Sequence, residues 1–263
     1  IVLMGQSAGA MSITDLLSTD LLKGLVSGAV MMSGAGAMPE IVGPYTEEKA
    51  KPFWDKVRER LGAKDNDALK GVPAKELWEA WYAQSREDNN FHYLQPGIDG
   101  KIIKESQARS LRKGYTLNIP MIVGVTSQDF LSVVIYEIAL HYALKLSKQG
   151  HAPVWGYFFD RELPGNSYKA FHSSDLWYMF GNMDKSWRPF TEEDKALAAE
   201  MTDYVANFVK SGNPNGSGLP LWEPVSKKNK KFRWFDVGNK WMISPHLCRK
   251  KERHTWFKDK GPM

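Results

Sequence analysis

Ser7 is the residue best placed to do chemistry in this 263-residue chain, because of what surrounds it. It is the centre of Gly5-Gln6-Ser7-Ala8-Gly9, a G-x-S-x-G run. Four apolar residues, Ile1-Val2-Leu3-Met4, read as a buried strand before it, and a helical pattern follows to about Leu17. A serine thrown onto a sharp strand-to-helix turn takes strained backbone angles and exposes its Oγ at a helix N-terminus. The Ala8 N–H then points where an oxyanion would form. Glycines two positions either side are expected because side chains there would collide with neighbouring strands. A small-residue loop at a tight crossing would carry the same pattern. The strand–turn–helix setting favours the nucleophile.

A serine hydroxyl is a poor nucleophile without a base. On such a scaffold the partners follow in the order serine, acid, histidine. Asp129 follows the strand-like Met121-Ile122-Val123 and the small polar run Thr126-Ser127-Gln128. Asp160, at the end of the next strand, is the competing acid, although Arg161 beside it suggests an ion pair. The histidine must follow a later strand. His92, His141 and His151 come too early, and His246 and His254 lie among cations that oppose a protonated imidazole. His172 remains, in Ala170-Phe171-His172-Ser173-Ser174-Asp175. A loop histidine with no role is the alternative.

These residues need a scaffold. Val26–Met32 reads as a second strand, Ile119–Gly124 as a third and Val154–Phe159 as a fourth. Between them the pattern predicts helices over 46–84, with Thr46 as a cap, over Ser106–Lys113, and along the stripe Ile135, Ile138, Ala139, Tyr142 and Leu146, stopped at Gly150. Gln95–Gly100 reads as a turn-rich loop. A short helix is predicted near Leu176–Phe180. A long one is capped by Thr191 with Asp194 in its first turn, and its stripe runs Leu197, Met201, Tyr204, Val205, Phe208. Two short strands, 231–237 and 240–243, are expected to pair across Gly238-Asn239. Strands alternating with helices imply an α/β domain with a mostly parallel central sheet and helices on both faces.

Composition excludes several classes. At 43% hydrophobic and 25% charged the chain has the material for a folded core, and no apolar run approaches the roughly 18–20 residues needed to span a bilayer. Cys248 is the single cysteine, so neither an intrachain disulfide nor a cysteine-built metal site is available. There is no H-E-x-x-H, no grouped ligand set and no phosphate loop. The glycine-rich residues 34–39 are not a dinucleotide fingerprint. The net charge of +5 is uneven: residues 227–263 hold 12 Lys and Arg against Asp236, Glu252 and Asp259, and the first 226 residues hold 23 against 27 acids. A basic tail can bind nucleic acid or anionic membrane, but a solvated terminal segment accounts for it more simply. Asn215-Gly216-Ser217 is a glycosylation sequon that the turn Asn213–Gly216 explains better. The tryptophans at 78, 81, 177 and 187 could wall a substrate pocket, although such residues more often pack cores or lids.

The chain resembles the type-B carboxylesterases, the cholinesterase-like family of α/β hydrolases, and among them the bacterial carboxylesterases most. The resemblance lies in GQSAGAMS (5–12), PMIVGVTSQD (120–129), APVWGYFFDRELPG (152–165), AFHSSDLWYMFGNM (170–183), and RPFTEEDKAL with VANFVKSGNPNG (within 188–216). It implies the C-terminal part of an α/β-hydrolase fold, residues 1–263 forming one domain. The N-terminal strands and the glycine-rich oxyanion loop would lie outside it, and a second neighbour for the first strand would come from there. It implies a serine carboxylic-ester hydrolase working through an acyl-enzyme, with Ser7, Asp129 and His172 as the triad and Ala8 as an oxyanion-hole donor. No cofactor or metal is implied, and the partner is a small-molecule ester rather than nucleic acid, with no integral membrane segment. Many animal members carry Glu at the positions of Gln6 and Asp129. The interval from Asp129 to His172 is shorter than in cholinesterases, which speaks against cholinesterase activity. An inactive truncated esterase and a non-catalytic binding protein of the same fold are the alternatives.

Overall fold

A computed structural model describes residues 1–36, 44–91 and 94–237. The chain runs β1 (Val2–Gln6), α1 (Ala8–Leu17), β2 (Gly28–Met32), β3 (Tyr45–Thr46), α2 (Glu47–Arg60), α3 (Asn66–Leu69), α4 (Ala74–Glu87) and β4 (Gly97–Ile98). It continues with α5 (Gln107–Lys113), β5 (Met121–Thr126), α6 (Ser132–Lys148), β6 (Val154–Phe159), α7 (Leu176–Met179), α8 (Glu192–Ser211) and β7 (Arg233–Phe235). Five strands form one sheet in the order β1-β2-β5-β6-β7, and every pairing in it is parallel.

The alternation of side chains along each strand divides the core in two. Ala29, Met31, Met121, Val123, Val125, Val154 and Phe158 pack on one face with Ile13 and Leu17 of α1 and Tyr136, Tyr142 and Leu146 of α6. Val30, Met32, Ile122, Trp155, Tyr157 and Phe159 pack on the other with Tyr178 of α7 and Leu197, Met201, Tyr204 and Phe208 of α8. β2, β5 and β6 are buried along their whole length, as strands covered by helices on both faces must be. Each large side chain buried there contributes about 1.5–3 kcal/mol of hydrophobic free energy. Gly124 makes room for the Tyr157 ring, which would lie 1.9 Å from a Cβ at that position.

Some expectations are corrected. Among the described residues β1 is half-buried and has β2 as its one neighbour. The strand expected at 231–237 exists as β7 and pairs in parallel with β6, Tyr157 against Arg233, a pairing the sequence did not suggest. Parallel pairing lets its aromatic residues extend both cores. The 240–243 strand, Cys248, His92, His246, His254 and most of the basic tail lie outside the described residues. Gln95–Gly100 contains β4, which pairs with β3. Thr46 is at the α2 N-cap, but its side chain makes no capping bond. Thr191 does cap α8, and Asp194 completes a capping box. Arg161 pairs with Asp194, through Nε to Oδ1 at 2.6 Å and Nη2 to Oδ2 at 3.1 Å, a partner far along the chain that the sequence did not suggest. Burial alone would raise the Asp194 pKa, but bonds from Arg161, Thr191 and Tyr178 hold it at about 2. Asn215 fixes the turn after α8 by bonding the Trp222 backbone through both its amide nitrogen and its oxygen.

Candidate active site

Ser7, Asp129 and His172 all follow the C-terminal ends of sheet strands, where parallel α/β sheets place their sites. Ser7 is the first residue after β1, with φ 56° and ψ −121°, a conformation costly for any residue but glycine. Its N–H donates to Met32 O at 2.8 Å, fastening the turn to the end of β2. The two motif glycines differ. A Cβ on Gly5 would stand 2.6 Å from the Gly9 carbonyl carbon and 2.9 Å from the Ile13 side chain, so the crossing of strand and helix excludes it. A Cβ on Gly9 would meet nothing within 4 Å among the described residues, which removes the steric reason expected for that glycine. The collision expected there falls instead on Gly34, where a Cβ would stand 2.4 Å from Ser7 O. The Gly34 signal was present in the sequence as part of the 34–39 run, but only the fold brings it against the turn. Ala8 opens α1 and is exposed, and the first N–H groups of a helix have no intrahelical partner.

Asp129 is buried at 1% exposure, and its carboxylate takes three hydrogen bonds. His172 Nδ1–H donates to Oδ1 at 2.7 Å, the Phe130 N–H donates to Oδ1 at 2.9 Å, and the Thr126 hydroxyl donates to Oδ2 at 3.2 Å. Burial by itself would raise the carboxyl's pKa; the bonds from His172 and its neighbours outweigh that and hold it below 3.8. The same bond from Asp129 raises the half-buried His172 above 6.5, against desolvation. Backbone pairing aligns the two loops: Gln128 N–H donates to Ala170 O at 3.0 Å, and Gln128 bridges Phe171 in parallel. Ser173, next to the histidine, adopts φ 72°. Beneath the pair Tyr157 donates to a fully buried Asp175 at 2.5 Å, and burial lifts the Asp175 pKa to about 6.

With Nδ1–H turned to Asp129, the neutral imidazole offers its Nε2 lone pair. The Gln6 amide Nε2 lies 3.1 Å from His172 Nε2 and donates to it. His172 Nε2 therefore reaches the residue before Ser7, and no hydrogen bond joins it to the Ser7 hydroxyl. Catalytic bonds are often long or absent until substrate binds. Gln6 was legible in the sequence only as a variation of the motif, and its contact with the histidine was not anticipated. Asp160 follows β6, its N–H bonded to Phe235 O, whereas the Asp129 carboxylate is the one that holds His172 Nδ1.

A carboxylesterase-family model matches residues 1–140 and 128–252. The chain belongs to the carboxylesterase family. The para-nitrobenzyl esterase of Bacillus subtilis (strain 168) is 28% identical over 82% of this chain and 54% of its own length. The human cocaine esterase is 23% identical over 84% of this chain and 51% of its own. A solved structure titled PNB esterase superposes with a TM-score of 0.80 at 23% identity, covering 95% of this chain and 62% of that one. A Geobacillus stearothermophilus carboxylesterase gives 0.76 at 24%, covering 95% and 63%. The structural likeness fixes the fold as that of an α/β hydrolase. This carboxylesterase-family chain spans about half the length of the curated relatives it matches. No helix among its described residues is long and apolar enough to cross a membrane.

Proposed function

We propose that the protein hydrolyses carboxylic esters through an acyl-enzyme, with Ser7 as nucleophile, His172 as general base and acid, and Asp129 as the group that orients and charges the imidazole. The observation that carries this reading is the 2.7 Å bond from His172 Nδ1 to Asp129, which turns Nε2 toward the Gln6–Ser7 turn. The names of the relatives, esterases throughout the examples above, agree with it.

The reaction runs in two halves. Ser7 Oγ attacks the ester carbonyl carbon as His172 Nε2 accepts its proton, so the Gln6 amide gives up that nitrogen. The carbonyl π electrons become an oxyanion, held by the Ala8 N–H at the start of α1. Asp129, ionised well below neutral pH, stabilises the imidazolium without taking its proton. The oxyanion collapses, the carbon–oxygen bond to the alcohol breaks, and the imidazolium gives its proton to the departing oxygen. Water then attacks the acyl-enzyme by the same steps and releases the acid and free Ser7.

Labelling tests the assignment. An organophosphonate or fluorosulfonyl probe is expected to modify Ser7, and Ser7→Ala to abolish both labelling and ester hydrolysis. Labelling at another residue, or undiminished hydrolysis by Ser7→Ala, sinks it.

A further inference from the structure

Phe130 follows the buried Asp129 directly, yet its side chain is 75% exposed. Its ring centroid lies 4.8 Å from that of His172, with the planes tilted by 44°. Its N–H grips the same Asp129 oxygen that receives the His172 Nδ1–H, so the acid fixes both the imidazole and the start of the phenyl group. Leu131 beside it is 60% exposed. The imidazole lies against the phenyl ring, and among the described residues most of the ring is left exposed. Apolar surface left in water beside a reacting group costs free energy that a ligand's own apolar group recovers on binding.

We propose that Phe130 is a specificity-determining residue that receives the apolar group of the ester's alcohol moiety. This deepens the esterase reading and rests on it. The alcohol side follows from the chemistry: His172 must protonate the departing oxygen, so a ring packed on that imidazole stands beside whatever the oxygen carries. The favoured substrates are esters of aromatic or bulky alkyl alcohols. Those of small or charged alcohols gain nothing from the ring.

Benzyl acetate and ethyl acetate share an acyl group and have alcohols of similar acidity, so their chemistry is nearly matched. In the full-length protein, Phe130→Ala is expected to lower kcat/KM for benzyl acetate roughly ten-fold, mainly through KM, and for ethyl acetate about two-fold or less. Phe130→Leu restores part of the loss. Equal losses on both esters would mean a structural role and overturn the proposal. So would a loss confined to ethyl phenylacetate, which would put the ring on the acyl side. A second measurement needs no turnover. In the Ser7→Ala protein, benzyl acetate is expected to shift the NMR signals of the His172 ring protons, and Phe130→Ala to remove that shift. Absence of the shift with Phe130 present refutes the proposal alone, whereas hydrolysis surviving in Ser7→Ala refutes the triad itself.

Discussion

Asp129 and His172 are held by side-chain hydrogen bonds beyond β5 and β6, whereas Ser7 is held by backbone geometry beyond β1, the outermost strand among the described residues. The acid lies beyond β5, a strand buried along its length between two neighbours, and its two oxygens take three bonds. The serine lies beyond half-buried β1, and its placement depends on a left-handed φ, one backbone bond to β2, and the absence of side chains at Gly5 and Gly34. The difference teaches that the two halves fail differently. On the proposed reading, deleting a polar group is expected to disable the acid–base half, and adding a methyl group the nucleophile half.

The largest effects test whether the halves work as one unit. Ser7→Ala and His172→Ala are each expected to lower kcat by about 10⁴–10⁶, and the double variant by little more, because neither residue acts without the other. Additive losses in steady-state kinetics would break the unit. Asp129→Asn comes next, with a loss near 10⁴ from a misdirected tautomer. Asp160→Asn should leave kcat close to that of the parent protein. If Asp160→Asn were the damaging change and Asp129→Asn silent, the acid would be misassigned.

The third effect is on stability and sharpens the contrast inside one motif. Gly5→Ala forces a methyl group against the Gly9 backbone and is expected to cost about 1–3 kcal/mol in urea unfolding, or more. Gly9→Ala places a methyl group in open space on a helix and is expected to gain roughly 0.5–1 kcal/mol. Equal penalties at the two positions would show that Gly9 answers to a constraint beyond sterics.

The smallest effect is a displacement on the pH axis. His172 is raised above 6.5, so its contribution to stability is complete below that value and fades as pH rises through the raised one. Asp129 is lowered below 3.8, so its contribution is present above that value and fades as pH falls through the lowered one. Between those limits the pair is charged and at its strongest. Catalysis needs the neutral base, so the acidic limb of kcat/KM is expected to have its midpoint above 6.5, and Asp129→Asn to move the His172 midpoint down in an NMR titration. A midpoint unmoved by that substitution would mean that the 2.7 Å bond does not set the base.

Much of this arrangement was legible in the chain. Continuous apolar runs marked β2, β5 and β6 because strands covered on both faces have no polar side to show. The Thr191–Asp194 capping box marked the start of α8 because a cap is a local device. The residues brought to the site were also legible, since their order along the chain matches the order of strand ends. Less local features were not. Arg161 was read beside Asp160, yet its guanidinium reaches Asp194, 33 residues on, because α8 returns across the sheet. The parallel pairing of β7 with β6 could not be read because a three-residue strand has no periodicity of its own.

The sequence by itself determined the alternation of strands and helices, the strained serine turn and the candidates Asp129 and His172 that the structure brings into contact, since each is written in neighbouring residues or in chain order. The tertiary structure alone decided that, among the described residues, Gly34 rather than Gly9 makes room at the serine, that the Gln6 amide meets His172 Nε2, and that Phe130 lies against the imidazole. Those three are contacts between segments far apart in the chain. Their geometry follows from the parallel register of β1, β2 and β5 and the loop pairing at Gln128, which no local pattern encodes.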